Sequence, residues 1–285
     1  MRIAYYTATM GGAGHLVRAL AIHKGLRRNG FAGNFRCFGP EIPYEVDSGL
    51  DYIAARVSRA EQRDPALAQQ GSVAKALAAF DPDVLLVDMF WTPIHAILPM
   101  LRAEAWLMLR TVPSSWLVGP PAVRFNPRAY ARVFQIEPTR YHGKLDAIEP
   151  IVSCNPEELL PATALKEHLG VDPDQHITLV AQTGMEGEVG ELATSAQAAG
   201  SQLVTLSLRD DNALFPLSPY LAGADRIIGG AGYNLYWETR WLGLADRTTC
   251  VPFKRSIDDQ FYRAKLAQIP QHNGADQLAK MLMGR

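Results

Sequence analysis

Gly11, Gly12 and Gly14 lead straight into His15, and Arg18 follows one helical turn later. A second run, Gly229, Gly230 and Gly232, leads into Asn234 and Glu238. Glycines at such places let the backbone come close to a ligand, and the helix start behind them offers unpaired N–H groups at a positive dipole end. That arrangement suits a diphosphate, and a carboxylate about one turn into the helix suits hydroxyl groups. His15, with an intrinsic pKa near neutrality, suits proton transfer. Glycine turns before helices are common in α/β proteins, so either loop alone is a weak signal. The two together carry the argument.

Each residue also has a plainer reading. His15 takes a proton from a hydroxyl, polarises a reacting oxygen, or hydrogen-bonds its own loop. Arg18 stands at i+3 from His15, on the same helix face, where it binds an anion or is solvated. Asp88 and Arg110 end successive apolar runs, at the carboxyl edge where open α/β sheets hold ligands. Asp88 there orients His15, holds a hydroxyl or caps a turn. Glu238 accepts from a vicinal diol or pairs with a helix neighbour. Asn234 contacts a ligand, caps the helix, or does both. Lys254 and Arg255 neutralise phosphate or are surface charge. Four tryptophans read as core or lobe interface, and Trp116, in a proline-rich loop, is the exception.

The elements that must position these residues alternate between strand and helix for nearly the whole length, which predicts a mainly parallel α/β architecture. Strands are expected at 2–7, within 33–38, at 84–87 and 106–111, near 132–136 and 148–152, and at 176–180. Helices are expected at 15–29, with Gly30 just past the end, at 66–80 and at 93–103. A further glycine loop, 183–190, holds Gly184, Gly187 and Gly190 and echoes the opening of the chain. The proline-bearing segment 155–175 reads as a linker between an N-terminal lobe, 1–154, and a compact C-terminal lobe, 176–285.

At 48% apolar and 20% charged the composition is that of an ordinary globular protein, and a net charge of -1 makes no case for nucleic-acid binding. The three cysteines, Cys37, Cys154 and Cys250, lack metal-type spacing and point to buried thiols in a reducing compartment. No apolar window approaches the ~18 residues of a membrane span. The expectation is a cytoplasmic protein without a transmembrane segment.

Four places resemble the two-lobed nucleotide-sugar glycosyltransferases, whose GT-B fold sets two Rossmann-like lobes with parallel sheets facing across a cleft. Gly11-Gly-Ala-Gly-His15-Leu-Val-Arg18 resembles the family's N-terminal glycine motif. Pro82-Asp-Val-Leu-Leu-Val-Asp88 with Leu107-Met-Leu-Arg110 resembles the acceptor lobe's strand–helix–strand. Ala224 through Glu238 resembles the donor-diphosphate motif, and Val251-Pro-Phe-Lys-Arg with Asp259-Gln260 the strand end that holds the donor sugar. The chain is similar to UDP-glycosyltransferases, to the N-acetylglucosaminyltransferase of peptidoglycan synthesis and to a branch of predicted glycosyltransferases.

The resemblance implies a metal-independent enzyme that takes a nucleoside diphosphate sugar as substrate and needs no cofactor. It implies catalysis by His15 and Asp88. Donor binding falls to Gly229, Gly230, Gly232, Asn234, Glu238 (on the ribose), Asp259, Gln260 and Gly184. Gly12, Gly14, Arg18 and Arg110 stand on the side of a small-molecule, glycan or lipid-linked acceptor. A solvated acidic turn around Asp258 is the competing reading for Asp259 and Gln260. The chain is shorter than most of the family, and no returning helix is recognisable in 269–285. Glu186 and Glu188 also sit beside the expected phosphate site. Two further readings use the same cleft: a nucleotide-sugar hydrolase, resembled by Gly12-Ala-Gly-His-Leu-Val-Arg18, and a non-catalytic nucleotide-sugar-binding protein.

Overall fold

The computed structural model describes residues 1–9, 13–43, 47–119, 124–182, 186–196, 202–208 and 213–284. In chain order the first strands and helices are β1 (Arg2–Tyr6), α1 (Gly14–Arg28), β2 (Asn34–Gly39), β3 (Tyr52–Ala54), α2 (Pro65–Gln70), α3 (Ser72–Phe80) and β4 (Val84–Asp88). There follow α4 (Trp91–His95), β5 (Glu104–Leu109), α5 (Ser114–Leu117), β6 (Arg132–Gln135), β7 (Asp146–Ala147) and α6 (Thr163–Leu169). The remainder comprises β8 (Ile177–Ala181), α7 (Glu186–Ala196), β9 (Gln202–Leu206), β10 (Arg226–Gly230), α8 (Tyr233–Trp241), β11 (Thr248–Val251), α9 (Gln260–Arg263) and α10 (Gly274–Met283).

Among the described residues the strands form two sheets, each parallel throughout. One runs β3-β2-β1-β4-β5-β6-β7 and the other β11-β10-β8-β9. Helices cover both faces of a parallel sheet, so its central strands read as unbroken apolar runs. All five residues of β4 and all five of β8 are buried accordingly. Strand order reverses between β1 and β4 in the first sheet, and between β8 and β10 in the second. Such reversals open a crevice at the carboxyl ends of the strands. The loop into α1 and Asp88 share the first crevice, while Gln182 and Gly230 share the second.

Several elements differ from the sequence expectations. The run 66–80 is two helices, broken at Gly71, whose extended ψ of 175° ends the first. The expected 93–103 helix is only the short α4 and a following 3-10 turn. Segment 148–152 is not a strand: Ile148 N still bonds Gln135 O at the end of β6, but beyond it the amides of Glu149, Ile151 and Val152 turn to side chains across the molecule. Ile151 donates to the Tyr233 hydroxyl at 2.7 Å, and Ser153 to Glu238 Oε1 at 3.3 Å. Residues 163–169, read as linker, form α6, and Leu165 is buried against the second sheet's core.

The returning helix exists. α10 begins at Gly274 behind the cap Asn273, whose side chain accepts from Ala275 N at 2.9 Å, and it lies against α1. Ala275, Leu278, Ala279 and Leu282 share one apolar cluster with Ala19, Ile22 and Leu26 of α1 and with Tyr233 and Trp237 of α8. The first sheet thus shares one core with α8, the helix that follows β10 of the second sheet. Gly25 is what lets α10 approach, since a Cβ there would stand 2.7 Å from the Ala275 carbonyl oxygen. Gly25→Ala is expected to destabilise the protein by about 1–3 kcal/mol through this backbone contact. Chemical denaturation reads it directly, and an unchanged midpoint would refute the packing argument.

Candidate functional site

Register puts Tyr6 beside Val87, so β1 and β4 end side by side, and the first turn of α1 lies against the end of β4. There Asp88, fully buried, accepts from His15 Nδ1 at 2.6 Å and from Arg18 Nη2 at 2.8 Å. The Tyr5 hydroxyl is a third partner on the same carboxylate oxygen. Met89 follows with φ +65°, a left-handed conformation uncommon for its type, as the chain turns sharply behind Asp88. His15, Arg18 and Asp88, far apart in sequence, form one buried cluster.

The geometry assigns the imidazole tautomer. Arg18 Nη2, which can only donate, also lies 2.9 Å from Nδ1. The shorter 2.6 Å contact is to the ionised Asp88, which has no proton to give, and this favours N–H at Nδ1. Nε2 then keeps its lone pair. Burial is the largest influence on His15 and pulls its pKa down to about 4 against the upward pull of Asp88, so the ring is neutral at physiological pH. Burial pushes the Asp88 carboxyl up, but Arg18 and then His15 outweigh it and hold the group far below the usual carboxylate range. A neutral imidazole oriented by an ionised carboxylate is equipped to accept a proton and to be stabilised once it has.

This pairing has a stability consequence. The unfolded chain protonates His15 near 6.5 and the folded protein only near 4, so the unfolded state binds the extra proton between those values. Stability from this group is complete above ~6.5 and declines as pH falls toward 4. The drop in melting temperature between pH 7.5 and 5 is expected to be smaller in His15→Asn than in wild type. Identical drops would show that His15 does not titrate this way.

Facing the cluster is a cavity of about 470 Å³ between the two sheets, lined by His15, Arg18 and Arg110 on one side and by Gly230, Gly232 and Glu238 on the other. Gly232 is the N-cap of α8 and no side chain caps that helix, so its first N–H groups open toward the cavity. Asn234 is one residue inside the helix rather than its cap. Its amide donates to Gly14 O at 3.2 Å and its oxygen accepts from Arg18 Nη1 at 3.4 Å, which joins the two glycine loops. Gly230 N is 3.3 Å from Gln182 Oε1. Gly229 lies within the strand, where a Cβ would strike Ala181 O and Leu235, so it serves packing.

Glu238 is buried, and its Oε1 accepts from Ser153 Oγ at 2.6 Å; burial raises its pKa above the ordinary carboxylate value. Gln260 lines the cavity, with Oε1 accepting from Phe253 N at 2.9 Å. Asp259 does not line it: the carboxylate caps α9 by accepting from Tyr262 N at 3.0 Å and pairs with Arg140 at 2.8 Å. Asp258, not Asp259, faces the cavity. Arg263 and then Arg110 outweigh its burial and hold it down to about 2. Arg255 forms a two-pronged pair with Glu188, at 2.5 and 2.6 Å, so that carboxylate is neutralised beside the glycine loop. Gly12 and Gly184 lie outside the described residues. Trp116 stands edge-on to Trp91, 6.0 Å between ring centroids, and does not line the cavity.

Sequence reasoning missed the clamp between the lobes. Arg263, fully buried, donates to both oxygens of Glu137 at 2.7 Å, to Ala231 O at 2.9 Å and to Asp258 at 2.6 Å. Glu137 also accepts from Trp237 Nε1 at 2.7 Å and Thr111 N at 2.9 Å. No spacing rule links positions 137 and 263, because only the tertiary fold brings them together.

Among the described residues no group of His, Cys, Asp or Glu side chains is arranged to hold a metal ion. No helix among them is long and apolar enough to cross a membrane.

No protein-family model matches the chain, and no curated protein does. Solved structures do. Spinosyn forosaminyltransferase SpnP superposes with a TM-score of 0.61 at 15% identity, over 99% of this chain and 90% of that one. Spinosyn rhamnosyltransferase SpnG, complexed with thymidine diphosphate, gives 0.56 at 15% identity over 100% and 92%. Acinetobacter baumannii MurG gives 0.52 at 15% identity over 99% and 90%. The chain has the two-lobed GT-B fold that these glycosyltransferases share.

Proposed function

From a chain with the GT-B fold, we propose a glycosyltransferase that moves a sugar from a nucleoside diphosphate sugar to an acceptor hydroxyl. One observation carries the reading: the His15–Asp88 pair and the uncapped start of α8 face the same cavity from opposite lobes. The structure of SpnG holding thymidine diphosphate supports the donor class. The diphosphate lies at the start of α8, Glu238 takes ribose hydroxyls, and Gln260 with Asp258 takes those of the sugar.

His15 Nε2 removes the acceptor hydroxyl's proton as that oxygen bonds to the anomeric carbon. The bond from that carbon to the diphosphate oxygen breaks, and the diphosphate leaves with the electron pair. Asp88 stabilises the imidazolium that forms. The N–H groups and dipole of α8 meet the charge on the leaving group, a role that needs no metal. Glu188 does not oppose the anion, because Arg255 neutralises it.

Gly230→Asp tests the donor side. A Cβ at Gly230 would stand 2.9 Å from Gln182 Oε1 and 3.3 Å from the Phe253 ring, so an added carboxylate is forced into the cavity. In a thermal-shift panel of UDP, dTDP, GDP, CDP and CMP, wild type is expected to gain several degrees with one nucleoside class. Gly230→Asp is expected to lose that gain. No gain with any nucleotide at millimolar concentration would remove the donor assignment.

A further inference from the structure

Among the described residues three arginines line the cavity: Arg18, Arg110 and Arg255. Two are committed. Arg18 is held by Asp88 at 2.8 Å and Arg255 by Glu188 at 2.5 Å. Arg263, just behind the wall, is committed to Glu137 and Asp258.

Arg110 differs. It is 7% exposed, yet its closest carboxylate oxygen is Asp258 Oδ1 at 3.9 Å, and that oxygen already accepts from Arg263 at 2.6 Å. Among the described residues Arg110 Nη2 meets only the Met89 thioether at 3.2 Å, a weak acceptor. Its Nε is buried with no hydrogen-bond partner among the described residues. A guanidinium carries five donors suited to anionic oxygens, and leaving them unmet in a buried place is costly. The charged groups facing it are Arg18, Asp88, Asp258 and Arg263. Burial and then Arg18 lower its pKa despite the two aspartates, so its charge is incompletely compensated.

Its location selects the anion. Arg110 ends the β5 side of the first lobe, but its guanidinium carbon stands 5.7 Å from the ring centroid of Tyr233, the first residue of α8. We infer that Arg110 reaches across the cleft to bond the diphosphate of the donor, so that both lobes hold the leaving group. This rests on the nucleoside diphosphate reading above. It moves Arg110 from the acceptor side, where sequence resemblance puts it, to the leaving group. Both lobes then take part in transfer, because the first supplies both the base and part of the charge that meets the departing phosphate.

Isothermal titration of wild type, Arg110→Gln and Arg110→Lys with UDP and uridine, and with dTDP and thymidine, tests it. Wild type binds the diphosphate more tightly than the nucleoside. Arg110→Gln weakens the diphosphate by about ten- to a hundredfold and leaves the nucleoside unchanged, the size of a lost charged hydrogen bond. Arg110→Lys keeps a point charge without the fork, and recovers part of that loss. If Arg110→Gln does not fold, the lysine variant carries the test with a smaller loss confined to the diphosphate. Full diphosphate affinity in the variants overturns the inference and returns Arg110 to an acceptor carboxylate or phosphate. An equal loss for nucleoside and diphosphate also overturns it. Absence of any nucleotide binding by wild type fails the donor reading itself, and the inference with it.

Discussion

His15→Ala is expected to lower turnover by about 10²- to 10⁴-fold while leaving nucleoside diphosphate affinity within about twofold. The imidazole touches neither α8 nor Glu238, and its removal leaves Asp88 still paired with Arg18 and Tyr5. The binding machinery therefore survives the loss of the base. His15→Gln separates orientation from chemistry, since glutamine restores a donor to Asp88 but cannot take up a proton. It is expected to be as inactive as alanine. Kinetics under donor saturation with parallel titration calorimetry measures both quantities. A variant that keeps half of wild-type turnover would move the proton acceptor elsewhere in the cleft.

Arg263→Leu is expected to cost about 3–5 kcal/mol, because it strands the Glu137 carboxylate in the interface with only Trp237 and Thr111 donating to it. For a protein of this size that corresponds to a fall in melting temperature on the order of 10 °C. The effect should be strongly non-additive. Glu137→Leu combined with Arg263→Leu removes both charges, and is expected to lose at least ~1 kcal/mol less than the two single losses summed. Additive losses would mean that the two charges do not interact. The clamp also accounts for the geometry of the site. Arg263 reaches Ala231 O and Asp258 in addition to Glu137, so the glycine loop and the cavity's acidic residue are both referred to the first lobe.

Much of this was legible in the residues. Apolar runs ending in a polar residue locate β1, β4 and β5, and a parallel sheet puts the ends of its strands on one edge. His15 and Arg18 therefore read as sharing one helix face, with Asp88 as one available partner for His15, whereas the Arg18–Asp88 ion pair was not legible. Asp259 and Asp258 were harder to tell apart. Asp259 begins a helix of one turn, so its carboxylate is spent on the Tyr262 amide while the residue before it turns inward. α10 hid behind its own start: Gly274 is a poor helix former, although Ala275, Leu278, Ala279 and Leu282 follow helical spacing. β3 has three residues and two exposed side chains, too little pattern to read. Segment 148–152 has strand-like composition, but the amides of Glu149, Ile151 and Val152 find partners in Gln277, Tyr233 and Asn273, all of them distant in sequence.

The release of nucleoside diphosphate from nucleotide sugars, followed by phosphorus NMR, tests the central claim most directly. The protein is incubated with UDP-, dTDP- and GDP-linked hexoses, alone and with candidate acceptors bearing free hydroxyls. The expected result is slow release from one nucleoside class, acceleration when an acceptor is supplied, and loss of both in His15→Ala. Tight nucleotide binding without release from any donor, with or without acceptor, would contradict it and make the cleft a binding site rather than an active site.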